Sequence, residues 1–199
     1  MPQRRLHGTR AARDMTRAVN TVEHRARLAA RLTPRDRWIV RMVHEHRVLD
    51  ADQIGAMAFN SPTVSRRRLL MLYRASVLDR FQPYLRAGHL PEHYVLGPTG
   101  ASLLAGELDV DSRRLGYRRD IANGIASSPR LAHLVALNGW FTALVATARR
   151  CPDARVEAWW SETRCARHFG DKVRPDGYGR YTERGRRIEF FLEYDMGTE

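Results

Sequence analysis

Between Thr33 and Leu108 the sequence sets out three helix starts in close succession, then two short strand patterns and one more helix. No other stretch narrows the fold as far. Thr33-Pro34-Arg35-Asp36 opens the first helix, because Thr33 is a capping residue and Pro34 sits where a missing N–H costs nothing. Ile39, Val40 and Val43 give that helix an inward face, continued by Val48 and Leu49. Asp50 caps a short second helix carrying Ile54, Met57 and Ala58. Asn60-Ser61-Pro62 then interrupts the chain, and Ser61 or Thr63 caps a third helix that runs to Val77.

On this third helix Val64, Leu69, Leu72 and Tyr73 are expected to pack inward, while Ser65, Arg66, Arg67 and Arg68 crowd the first two turns. Leu78 to Leu85 and His93 to Leu96 read as two strands joined by the turn Arg86-Ala87-Gly88-His89. Gly97-Pro98-Thr99-Gly100 opens a closing helix through Leu103, Leu104 and Leu108. This is the element order of a winged helix-turn-helix, in which the third helix enters the major groove of DNA. Ser65, Arg66, Arg67 and Arg68, with Arg86 at the wing turn, are therefore the candidate DNA-binding residues. A helical hairpin with a solvated arginine face is the plainer alternative.

Charge points the same way. The 199 residues carry 34 Lys and Arg against 22 Asp and Glu, a formal net charge of +12, which suits a polyanionic partner. Lys172 is the only lysine, so nearly all of that charge is guanidinium, which forks onto phosphate oxygens and guanine edges. At 43% hydrophobic the chain is expected to bury a substantial core. No apolar run approaches the roughly twenty residues of a membrane span, so a cytoplasmic protein without a membrane partner is expected. Cys151 and Cys165 form no CxxC pair, which argues against a structural disulfide or zinc knuckle.

Residues 1 to 10 read as disordered, and Met15, Val19, Val22, Ala26, Ala29 and Leu32 recur at helical spacing among arginines, so residues 1–32 read as a basic helical arm. Residues 33–108 form the first domain. Residues 109–128 lose periodicity and read as a linker whose Arg113, Arg114, Arg118 and Arg119 suit nonspecific contact with a nucleic-acid backbone. A second domain follows over residues 129–199. It opens on a long apolar helix from Arg130 to Arg150 that carries His133 and Asn138, each expected to be a hydrogen-bonded helix residue.

Arg155 to Trp160, Val173 to Tyr181 and Arg187 to Asp195 then read as strands, the last two joined around Thr182 to Gly185. The last alternates: Ile188, Phe190, Leu192 and Tyr194 point one way and Glu189, Phe191, Glu193 and Asp195 the other. Glu193 and Asp195 thus share a face with Cα atoms roughly 7 Å apart, and Asp176 of Arg174-Pro175-Asp176-Gly177 is the natural third ligand for Mg²⁺ or Mn²⁺. A Pro-Asp followed by an acid-x-acid on the next strand resembles the PD-(D/E)xK nuclease core, except that Asp195 stands where the nucleases carry lysine. Lys172 lies roughly 13 Å upstream along a strand, too far to substitute. The fold class is α+β, a winged helix-turn-helix followed by a small endonuclease-like domain.

Taken together, the winged helix with Tyr94-Val95-Leu96-Gly97-Pro98-Thr99-Gly100, His133 to Asn138, Trp160 with Glu162, Arg174-Pro175-Asp176-Gly177 and the terminal run from Phe190 to Glu199 resemble the replication-relaxation family of plasmids and mobile elements. The resemblance implies a DNA-binding protein acting in plasmid replication and plasmid DNA relaxation, with double-stranded DNA as partner. Replication or transfer proteins and a second copy of the chain are the further partners expected. It also implies a chain that continues past Glu199 into a further helix, so a truncated second domain is expected, with Phe190, Leu192 and Tyr194 exposed or covered by a partner. A metal-dependent nickase and a winged-helix transcriptional regulator are the alternative functions. The metal-binding histidine pair of many relaxing enzymes finds only His44-Glu45-His46, whose centre is charged and which ends a helix, so that chemistry is rejected.

Overall fold

Capping chemistry sets the helix starts in the computed structural model, which describes residues 9–10, 17–83, 90–111, 113–170 and 172–197. The fold is α+β, with helices set against two antiparallel sheets. The chain divides into two compact units, residues 1–131 and residues 132–199.

In the first unit strand β1 (Thr9–Arg10) precedes helix α1 (Val22–Ala29) and helix α2 (Pro34–His46). At the head of α2 the Thr33 hydroxyl accepts from the Asp36 N–H, and the Asp36 carboxylate accepts from the Thr33 N–H, a reciprocal cap. Strand β2 (Leu49–Asp50) leads into α3 (Ala51–Ala58), where Asp50 and Gln53 close a second such box. After α4 (Pro62–Arg74) come β3 (Leu78–Pro83), β4 (His93–Leu96) and α5 (Pro98–Glu107). The sheet runs β1-β3-β4-β2, with Leu78 opposite Leu96 and Asp50 opposite His93. Ile39, Val43, Ile54, Leu69, Val77, Leu78 and Val95 make its fully buried core. The turn Arg86 to His89 lies outside the described residues.

Gly97-Pro98-Thr99-Gly100 lies against the backbone that leaves α4. The Gly97 and Thr99 N–H groups donate to the Val77 and Ser76 carbonyls, both at 3.0 Å. A Cβ on Gly97 or Gly100 would collide with those same carbonyls, which is why glycine stands at both positions.

The expected basic arm is corrected. Helix α1 covers only Val22–Ala29 and buries none of its residues; Val19 and Val22 are 75% and 66% exposed. Of residues 1–10, expected to be disordered, Thr9–Arg10 pairs with β3, while residues 1–8, like Met15, lie outside the described residues. The segment before α1 is held by polar bonds instead of an apolar stripe. The Ala18 N–H donates to the Arg74 carbonyl at 2.8 Å, Ser76 Oγ donates to the Ala18 carbonyl at 2.6 Å, and Arg17 pairs with Asp79. The expected linker is partly ordered as α6 (Arg119–Gly124) and a 3₁₀ turn (Ile125–Ser127). Its arginines are not all available to a backbone, since Arg119 reaches Asp79 at 3.4 Å and Arg118 pairs with Asp120. Burial and the Asp79 charge push the neighbouring Tyr117 phenol up to about 12.

Helix α7 (Leu131–Ala148) begins at the division and is followed by β5 (Ala154–Ser161), α8 (Glu162–Phe169), β6 (Gly177–Glu183) and β7 (Arg186–Leu192). The sheet order is β5-β6-β7. Arg184 and Gly185 both adopt positive φ, the backbone of a two-residue hairpin whose twist matches its strands. On one face of the sheet Phe190 lies over Gly179, its cross-strand neighbour, and meets Trp140 and Phe141 of α7 at 5.3 and 6.0 Å. On the other, Phe191 meets Phe169 of α8 at 5.1 Å.

Helices therefore stand on both faces, and the expected stranding of Phe190, Leu192 and Tyr194 is corrected: α7 covers Phe190, and the exposed apolar residues of β7 are Ile188 and Phe191, at 57% and 52%. Two strands are also shorter than expected. Val173 to Asp176 lies outside β6, where Pro175 offers no N–H to a ladder, and Glu193 to Asp195 lies beyond β7. Among the described residues one helix, α7, is long and apolar enough to cross a membrane by length and composition. A third of it is buried, Leu134, Leu137 and Phe141 included. Cys151 and Cys165 are not in a disulfide.

Candidate functional site

Helical geometry splits the arginine triplet of α4. The buried residues of this helix are Ser65, Leu69, Leu72 and Tyr73. At about 100° per residue, Arg67 lies nearly opposite the centre of that stripe, while Arg66 and Arg68 fall on its two flanks. Arg66 and Arg67 are exposed, and among the described residues neither takes part in an ion pair.

Arg68 turns inward. Its Nε donates to Asp36 Oδ1 at 2.8 Å and a terminal nitrogen donates to Oδ2, a forked pair that ties α4 to α2. Asp36 is fully buried. Burial works to raise its carboxyl, but the Arg68 guanidinium and the Thr33 hydroxyl and N–H outweigh it and hold the group below the ordinary carboxylate range. Arg68 is thus a structural anchor, a role its place in the basic triplet did not suggest.

Ser65 is turned inward. It is 3% exposed, facing Gly55 of α3, and Val64, expected inside, is 53% exposed in its stead. The Ser65 hydroxyl has no hydrogen-bond partner and lines a groove of about 230 Å³ between the two helices, with Asp52, Gly55, Asn60, Ser61 and Arg66. Phe59 also lines the groove, and Arg35 of α2 stacks on its ring at 4.9 Å. Arg86 lies outside the described residues.

The second unit gathers a different cluster around Asp176. His133 Nε2 of α7 lies 3.3 Å from Asp176 Oδ1, and the Tyr194 N–H donates to Asp176 Oδ2 at 2.9 Å. The His133 and Tyr194 rings meet edge to face at 5.8 Å. Both carboxylate oxygens of Asp176 are therefore engaged within the unit. Glu193 is exposed just past β7, and Asp195 Oδ1 accepts the Gly197 N–H at 2.8 Å in a turn of its own. Among the described residues no three His, Cys, Asp or Glu side chains are grouped as a metal ion requires. Asp176, Glu193 and Asp195 do not converge as a Mg²⁺ or Mn²⁺ set, because the ladder ends at Leu192 and the alternation that would align Glu193 with Asp195 does not continue. What the sequence reading missed is the pairing of His133 with Asp176, forty-three residues apart.

The model of the replication-relaxation family matches residues 40–199, a span that takes in α4, the His133–Asp176 pair and the terminal acidic run. No curated protein and no solved structure matches the chain. On a match over most of its length, the chain belongs to the replication-relaxation family.

Proposed function

We propose that the chain is a duplex-DNA-binding protein acting in the replication and relaxation of plasmid or other mobile DNA. In this reading the first unit is a winged helix-turn-helix, and α4 enters the major groove with Arg66 and Arg67 foremost. The observation that carries it is the division of the arginine triplet: Arg68 is committed to Asp36, whereas Arg66 and Arg67 are exposed and, among the described residues, in no ion pair, with Arg67 opposite the buried stripe. A net charge of +12 supplies the long-range attraction. Charge reversal at Arg67 tests it, since losing one phosphate or base contact and placing a carboxylate in the groove is expected to weaken duplex binding at least about tenfold. An Arg67→Glu protein that binds duplex DNA as the parent does would refute the reading.

A metal-dependent nickase is the second reading, favoured by the position of Asp176 at the head of β6, where strand register would next place residue 193. Against it, no three carboxylates among the described residues are grouped as a metal ion requires.

A further inference from the structure

We propose that the groove between α3 and α4 is the seat of one backbone phosphate of the DNA duplex. The inference rests on the DNA-binding reading and deepens it, by adding a second point of contact to the exposed arginines.

The first turn of α4, like those of α5 and α6, has no side-chain cap. Helices α2 and α3 carry reciprocal capping boxes, and α1 and α8 are capped by Thr21 and Ser161. Ser61, at the corresponding position of α4, makes no side-chain cap bond, and Pro62 brings no N–H. The Thr63 and Val64 N–H groups therefore point out of the helix end without an intrahelical acceptor. Such an end attracts an anion through both its free donors and the helix dipole.

A second and independent feature points to a ligand. Ser65 is 3% exposed and its hydroxyl has no partner, although it lines the same groove. Burying a hydroxyl without a hydrogen bond is costly, and an oxygen entering the groove would satisfy it. Arg66 lines the groove from α4, and Arg35 stacks on the ring of Phe59, another lining residue. Asp52 is the one carboxylate in the lining. A phosphodiester with a single charge tolerates that neighbour better than free phosphate, which carries up to two charges at neutral pH, so the occupant is a nucleic-acid backbone.

Gly55 keeps the groove open. A Cβ there would stand 3.5 Å from Ser65 Oγ, an ordinary contact that fills the floor without a clash. Two variants therefore probe the seat and keep the fold: Ser65→Ala removes the hydroxyl, and Gly55→Ala fills the space.

The test measures duplex affinity by fluorescence anisotropy for the parent, both variants and Arg67→Glu, with thermal melting to verify folding. The duplexes carry a neutral methylphosphonate at one backbone position at a time. One position is expected to weaken the parent by about fivefold, the loss of a charge-assisted hydrogen bond, and both variants bind the unmodified duplex about fivefold more weakly and no longer sense that position. Variants that match the parent, or that keep its full sensitivity at every position, would overturn the seat while a weakened Arg67→Glu protein left the DNA-binding reading standing. A parent that binds no duplex overturns both. Inorganic phosphate is expected to compete no better than chloride of equal ionic strength; specific competition would mark a free-phosphate site and overturn the backbone assignment.

Discussion

Arg68 and Asp36, thirty-two residues apart, close a forked ion pair between the fourth and second helices, and this contact decides which arginines of the basic triplet face solvent. Asp36 also serves the Thr33 cap, so one buried carboxylate holds both a helix end and a helix crossing.

Removing Arg68 leaves that buried charge unmatched. Arg68→Ala is expected to lower the unfolding free energy by about 3 kcal/mol, the range seen when one partner of a buried pair is deleted. Arg67→Ala, at an exposed helix position, should stay within about 0.5 kcal/mol of the parent. Urea denaturation compares them, and equal losses would contradict the division of roles.

Acid should act on the same contact. The folded carboxyl of Asp36 titrates below its ordinary value of 3.8, so the stability it contributes is present above that value and is lost as pH falls through the folded one. Melting temperature is expected to drop more steeply below about pH 5 in the parent than in Asp36→Asn, which is less stable at pH 7 but has no such proton to take up.

In the second unit Phe190 lies flat over Gly179, where a Cβ would enter the ring. Gly179→Ala is therefore expected to destabilise the second unit by about 1–3 kcal/mol through overpacking. Gly106→Ala is the control, because nothing lies within 4 Å of that Cβ; in a helix the change should be neutral or stabilising by up to about 1 kcal/mol. Paired thermal melts distinguish the two.

His133 and Asp176 should behave as a coupled pair. In a double-mutant cycle of His133→Ala and Asp176→Asn, the losses are expected to be non-additive by about 1 kcal/mol. Additive losses would show that the 3.3 Å contact carries no energy.

Local chemistry was legible in the sequence. The caps at Thr33 and Asp50, the close-packed Gly97 to Gly100 turn and the strand pairs all follow from residue preferences within a few positions of one another. What was not legible depended on partners far along the chain. Arg66, Arg67 and Arg68 look equivalent until Asp36 claims one of them, and Ser65 reads as surface-facing until Gly55 is seen to receive it. The acidic run misled for a related reason: alternation holds only while the ladder lasts, and here Asp176 draws the Tyr194 N–H to itself where the ladder ends. Helix periodicity alone would have flagged Arg67 as the outermost of the three, because it lies opposite the Leu69–Leu72 side of the helix.

The salt dependence of duplex binding tests the central claim most directly, measured for the parent, Arg67→Glu and Arg186→Glu, the last an exposed arginine of β7 with the same change in net charge. The account predicts a parent affinity that falls steeply with salt, by about 0.9 log units per log unit of salt for each phosphate neutralised. It also predicts at least about a tenfold loss for Arg67→Glu, and a markedly smaller one for Arg186→Glu. Binding that is insensitive to salt, or equal losses in the two variants, would contradict it.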